Sequence, residues 1–331
     1  MAYNSEGILE NDWLLRQEPF EGLIGKELGK AFEWLSFAPK QRLSGSSSIA
    51  WAKELYSADN DPLKRFPRRL SSGSDFARIT ASKITSAQAT LAKWGFEFVI
   101  AEEARRYKTN LDVLGRTLKK MANWVGEWQN AKIIESLINP TDGVQTAPSG
   151  GSFRTRSVTK WSEEGCNPVN DMILLGGDFE DAAVGYKATD FFVHKTNFRE
   201  ALKFLMNIDV DMSTRENLYG VAKAKAKSIY IPVLEATLHS VEYGLVEGDI
   251  LVMDGGMSPF TIYYDWNPEY GPAQSFTMEN GQVLPNDFGL HSNQYNNEKN
   301  HELIKQIWLE NVIAVKDASA GMYNPAASDG I

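Results

Sequence analysis

Apolar residues recur at alternating steps of three and four along Leu111, Leu114, Leu118, Met121, Val125 and Trp128. That spacing puts all six on one face of an α-helix and predicts one over Asn110 to Ile138. Thr109 or Asn110 can cap its start, Asp112 sits favourably in the first turn, and Asn139-Pro140 ends it. At about 1.5 Å per residue such a helix runs roughly 40 Å, long enough to act as a strut. Just upstream the period changes to two. Trp94, Phe96, Phe98 and Ile100 alternate strictly, and Phe76, Ile79 and Ile84 punctuate a stretch rich in Ser and Thr. Two strands with a polar turn region between them are expected, forming an elongated hairpin.

The first 45 residues scatter Trp13, Leu14, Leu15, Phe20, Leu23, Phe32, Trp34 and Leu35 among Pro and Gly. This is the pattern of an arm that docks onto something, with a short helix around Lys26 to Leu35. SGSSS at 44–48 is a flexible break, and residues 49–100 hold too few buried-type side chains to be a compact unit alone. Beyond the long helix, residues 140–152 read as a loop before strand-like residues from Phe153 to Trp161. A mixed region follows, with helices near Val169 to Ala183 and at 197–206, and strands at 188–195, 228–238, 249–255 and 260–266. The Asn-rich stretch 286–300 is expected to be a loop. Ile307, Leu309, Val312, Ile313 and Val315 mark a last strand, no internal repeat is evident, and the class is α+β.

Composition narrows the function. Among 331 residues, 43% hydrophobic content suits a globular protein with a real core. A net charge of −9, from 34 basic and 43 acidic residues, is the wrong sign for gripping nucleic acid over a broad face. The single cysteine, Cys166, excludes an intrachain disulfide and a thiolate zinc site, and suits folding in a reducing cytoplasm. The start, MAYNSEGILENDW, lacks the basic and apolar run of a signal peptide, and no membrane span is expected. Nine Trp, twelve Tyr and sixteen Phe supply large anchors of the kind that extensive subunit interfaces use.

Catalytic patterns are missing. There is no GxGxxG after a strand, no phosphate loop, no HExxH and no GxSxG elbow. His194, His239, His291 and His301 lie far apart and read as structural or surface histidines. Glu102-Glu103, Glu163-Glu164 and Asp178-Glu180-Asp181 are explained most cheaply as solvated faces, and Gly176-Gly177 and Gly255-Gly256 as turns or close-packing sites. No catalytic residue, cofactor or metal is therefore expected. A basic run, Lys64, Arg65, Phe66, Pro67, Arg68 and Arg69, continues through Arg78, Lys83, Arg105, Arg106 and Lys108. It can touch nucleic acid, reach an acidic surface of a neighbouring copy, or form a solvated loop; the acidic balance of the chain favours the neighbouring copy.

The order of parts resembles the Hong Kong 97-type major capsid proteins of tailed double-stranded DNA viruses, over about residues 40–325. WGFEFVIAEEARRYKTNLDVLGRTLKKMANWVGEWQNAKIIESLI looks like the end of that family's extended loop followed by its spine helix. WSEEGCNPVNDMILLGGDFEDA and KATDFFVHKTNFREALKFLMN look like the helix, strand and helix of its axial domain. IPVLEATL, GDILVMDGG and KQIWLENVIAVKDASAGMYNP look like its strands returning to the peripheral domain. The resemblance implies an N-terminal arm at 1–45 and an extended loop at 46–104. It also implies a peripheral domain at 105–165 and 302–331 with the spine helix at 110–138, and an axial domain at 166–301.

It further implies a protein that assembles with itself into pentamers and hexamers of an icosahedral shell, and is found in the virion after synthesis in the host cytoplasm. A portal protein, a possible decoration protein and packaged DNA, touched non-specifically, would be its partners. Candidate contacts between subunits are Trp13, Phe20, Arg65, Arg68, Arg69, Ile79, Lys83 and Trp94. A hairpin arm of some 18 residues extends at most about 60 Å, enough to cross a neighbour. Met1 stands only about 45 residues before the extended loop, so a separate scaffolding protein or none is expected. Some members cross-link a loop lysine to an asparagine. Lys83 and Asn324 lie in comparable regions, yet nothing aligns them or identifies the assisting glutamate, and no link is expected. Two other readings stand beside this one: an encapsulin-like compartment enclosing a cargo enzyme, and an α/β enzyme with an acidic site around 166–255.

Overall fold

The structure is a computed structural model that describes residues 38–43, 48–54, 84–101, 109–139, 143–146, 161, 167–182, 185–207, 227–265, 275–277, 283–285, 289–297 and 302–325. The arm before residue 38, the strand expected at 153–160, Cys166, Glu102-Glu103, Glu163-Glu164 and His301 lie outside them.

In chain order the elements begin with strands β1 (Lys40–Leu43), β2 (Ser48–Glu54), β3 (Ile84–Thr90) and β4 (Ala92–Ala101). Helix α1 (Thr109–Leu137) and the short β5 (Gln145–Thr146) follow, then α2 (Pro168–Ala182), β6 (Asp190–His194) and α3 (Lys195–Asn207). Next come β7 (Ser228–Ile231), β8 (Ala236–Val241), β9 (Ile250–Met253) and β10 (Phe260–Asp265). The chain closes with β11 (Ser275–Thr277), β12 (Val283–Pro285), β13 (Leu290–Asn297), β14 (Glu302–Val315) and β15 (Gly321–Asn324). These elements fall into two units, one of Met1–Ile49, Gln88–Ile133 and Thr261–Ala314, the other of Ala50–Ala87, Ile134–Phe260 and Val315–Ile331.

The first unit is organised by β14. Its 14 residues pair antiparallel with β13 through Leu290↔Leu309 and with β4 through Ala92↔Asn311, and β10 and β1 complete the sheet. Three expectations change here. Strand β4 pairs with β14, and β3 pairs with β2 rather than with β4; residues 76–83 of the expected hairpin lie outside the described residues. The reason lies in the side chains, since the apolar face of β4 needs an apolar partner face, which Leu309 and Ile307 of β14 supply and a Ser- and Thr-rich strand does not. The expected loop at 286–300 contains β13. Its Asn-rich sequence disfavours a strand by propensity, and pairing along the exposed edge of β14 overrides that. The last long strand begins at Glu302 rather than near Ile307, and β15 follows it.

Helix α1 matches the expected helix within a residue at each end. At its close, Val144 N–H donates to the Leu137 carbonyl at 2.7 Å and Gly143 N–H to the Asn139 carbonyl at 2.7 Å. A Cβ at Gly143 would lie 2.1 Å from the Leu137 carbonyl oxygen, so only glycine permits this tight exit.

The second unit holds a six-stranded mixed sheet in the order β5-β15-β9-β6-β8-β7. Alternate residues Phe191 and Val193 of β6 face α2 and α3, which bring Met172, Leu175, Phe179, Phe198 and Ala201 into one buried cluster. Gly176 lets α2 approach: a Cβ there would lie 3.3 Å from the Phe191 ring and from Ala188. The single strand expected at 228–238 is two. Pro232 has no N–H for the ladder and opens a 3₁₀ turn, Pro232–Leu234. Glu235 then adopts φ 50°, and β8 returns antiparallel to β7.

Candidate functional site

An apolar groove of about 340 Å³ lies between α1 and the β4–β14 pair of the first unit. Trp94, Gly95 and Phe96 of β4, Leu309 of β14, and Met121, Trp124, Val125 and Trp128 of α1 line it. Both periodicities read from the sequence converge here. Period two places Trp94 and Phe96 on one side of β4, and helical spacing lines up Met121, Val125 and Trp128. Trp94 meets Trp128 with ring centroids 5.2 Å apart at an interplanar angle of 45°.

The groove is not closed. Trp94 is 49% exposed and Trp124 63%. Covering on the order of 100 Å² of either ring would contribute roughly 2.5 kcal/mol, so an occupant gains most from these two side chains. Gly95 faces the other way, directly across from Trp308. A Cβ there would lie 2.4 Å from the Ile307 carbonyl oxygen and 2.5 Å from the Trp308 Cβ. The indole of Trp308 donates to Glu310 Oε1 at 2.9 Å, and the Lys93 ammonium sits 4.0 Å from its ring centroid. Glu97, next on that face, accepts from Gln306 Nε2 at 2.9 Å.

Of the candidate contact residues, Trp94 is placed in the groove. Trp13, Phe20, Arg65, Arg68, Arg69, Ile79 and Lys83 lie outside the described residues. Asn324 is in β15, paired across from Ile250. Sequence reasoning passed over Trp124 and Trp308. Trp124 was legible, being three residues after Met121 and four before Trp128, whereas the importance of Trp308 depends on Gly95 lying beneath it.

The polar groups of the second unit serve the fold. His239 Nε2 pairs with Asp190 Oδ1 at 2.8 Å, and its ring stacks on Phe192 with centroids 4.8 Å apart, holding β8 to β6. Thr189 Oγ1 donates to Asp190 Oδ2 at 2.7 Å and accepts from Gly255 N–H at 2.6 Å. Asp254 accepts from the N–H groups of Gly256, Met257 and Lys187, which makes the Gly255-Gly256 pair a tied turn. Among the described residues no three His, Cys, Asp or Glu side chains come together to hold a metal, and no helix is long and apolar enough to cross a membrane.

The chain has the Hong Kong 97-type capsid fold, within the α+β class. No protein-family model and no curated protein sequence matches the chain. Solved structures do. The virus-like particle from Pyrococcus furiosus aligns with a TM-score of 0.52 at 10% identity, over 93% of this chain and 98% of that one. The capsid of a native GTA particle aligns with a TM-score of 0.51 at 10% identity, over 90% of this chain and 91% of that one.

Proposed function

We propose that this chain is a structural, shell-forming protein, the major capsid protein of a tailed virus with a double-stranded DNA genome, and that it has no catalytic centre. The observation that carries the reading is the extent of the fold. The alignment with the Pyrococcus furiosus particle runs over 93% of this chain and 98% of that one, so the shell-protein fold accounts for nearly all of the given sequence. The groove supports it, because three tryptophans around an open apolar cleft suit a chain whose surface is completed by association.

In this reading the chain partners itself in pentamers and hexamers, its many modest contacts summed over closed symmetry. Residues 1–45 are the arm and 46–104 the extended loop. The peripheral domain is the one that carries the spine helix and the β14 sheet, and the axial domain the one that carries the six-stranded sheet. A separate scaffolding protein or none, a portal protein, a decoration protein and packaged DNA are its further partners in this reading, and the finished location is the virion.

The test is the content of particles from the native source. Nuclease-protected double-stranded DNA inside particles whose dominant protein is this chain is the expected result. A cargo enzyme in place of DNA would establish the compartment reading and overturn the viral one.

A further inference from the structure

His291 sits where strands of the first unit meet. It lies directly across from Trp308 of β14, and the two rings stack with centroids 5.4 Å apart and planes 6° from parallel. The residue is 1% exposed. Nε2 lies 3.3 Å from the main-chain carbonyl of Asp265, the last residue of β10. A carbonyl only accepts, so Nε2 carries the hydrogen. Nδ1 is buried and has no hydrogen-bond partner among the described residues.

The neutral ring fits this setting with one bond made and one acceptor idle. The imidazolium would put a second N–H, and a full charge, where no described group accepts it. The strands leave little room to adjust. Gly289, just before β13, has φ 76°, and a Cβ there would lie 2.5 Å from the Glu310 carbonyl oxygen.

We propose that His291 is an acid-sensitive latch for the junction of β10, β13 and β14: neutral, it closes the junction, and a proton on Nδ1 releases β13 from β10. The inference rests on this junction alone and is independent of the shell reading. Charged groups face the ring from each neighbouring strand: Glu310 of β14 and Asp265 of β10 favour the proton, and Lys93 of β4 opposes it. Burial outweighs the carboxylates and holds the imidazole below its ordinary value of 6.5. The face of Trp308 would favour a cation, but its indole already carries the Lys93 ammonium. The opened chain therefore takes up the proton first. The closed junction is fully favoured above pH 6.5 and loses stability as the pH falls from there toward the lower value of the folded state.

Hydrogen exchange read by mass spectrometry, corrected for the intrinsic pH dependence of exchange, tests this on the full chain between about pH 7.5 and pH 5. Protection of peptides covering 289–297 and 260–265 is expected to fall several-fold toward pH 5, while β6 and β8 hold. His291→Gln, which keeps a donor for the Asp265 carbonyl, is expected to abolish the step, and His239→Gln to leave it. Should His291→Gln fail to fold, His291→Phe keeps the stack on Trp308 and serves in its place. A step that persists in the His291 variant, or no local change in the unaltered chain, overturns the proposal.

Discussion

Trp94 on a strand and Trp128 on the long helix meet at 5.2 Å, and that contact fixes β4 against α1 in the first unit. The helix is 29 residues long, about 43 Å at 1.5 Å per residue. Beside this contact Trp124 projects from the same helix into the open groove, more exposed than either.

Replacing Trp124 by Ser separates assembly from folding. Its ring is 63% exposed, so the stability of the isolated subunit is expected to change by no more than about 0.5 kcal/mol. If the groove is covered on association, the variant loses most of its capacity to assemble. Thermal melting paired with sedimentation velocity reads both effects. Trp128→Ala, which removes the contact itself, is expected to lower the melting temperature.

Gly95→Val is expected to destabilise the first unit by roughly 2 kcal/mol or more, because the new side chain meets the Ile307 carbonyl and the Trp308 Cβ in the β4–β14 ladder. Urea denaturation followed by tryptophan fluorescence checks it. Gly185→Ala makes a useful contrast: its φ of 103° strains the backbone, but open space surrounds the added methyl.

The long helix and β4 were readable because each carries one period without interruption, and Trp94, Met121, Val125 and Trp128 lie in the groove those periods imply. What was not readable depends on partners distant in sequence. His291 and Asn293 look like loop residues until β14 pairs with them, and the need for glycine at position 95 is hidden until Trp308 is laid across it. Pro232 was visible, but the reversal it starts needed Glu235 in the left-handed region. The basic run around Arg65 to Arg69 lies outside the described residues, and its partner stays a proposal.

Asp254 gathers three backbone N–H groups from Lys187, Gly256 and Met257. Asp254→Ala is expected to cost roughly 2 kcal/mol, with Asp254→Asn milder, since its amide oxygen keeps part of the set. Chemical denaturation of the two variants side by side gives the comparison.

Lys195 and Glu242 form an exposed ion pair at 2.7 Å, each side chain 42% exposed. The hydrogen bond from Lys195 is the main reason that the Glu242 carboxyl lies below its ordinary value of 4.5. The pair's contribution is therefore present above pH 4.5 and is lost as the pH falls through the lower value of the folded state. Solvent screening keeps it under about 1 kcal/mol. Stability measured against pH for Glu242→Gln is expected to lie slightly below that of the unaltered protein near pH 7 and to converge with it in acid.

Electron microscopy of the chain expressed alone, and of particles from its native source, tests the central claim most directly. Closed shells, or rings of five or six wedge-shaped subunits, are the expected result. A protein that stays monomeric at high concentration, with no particles containing it in the native source, would contradict the account.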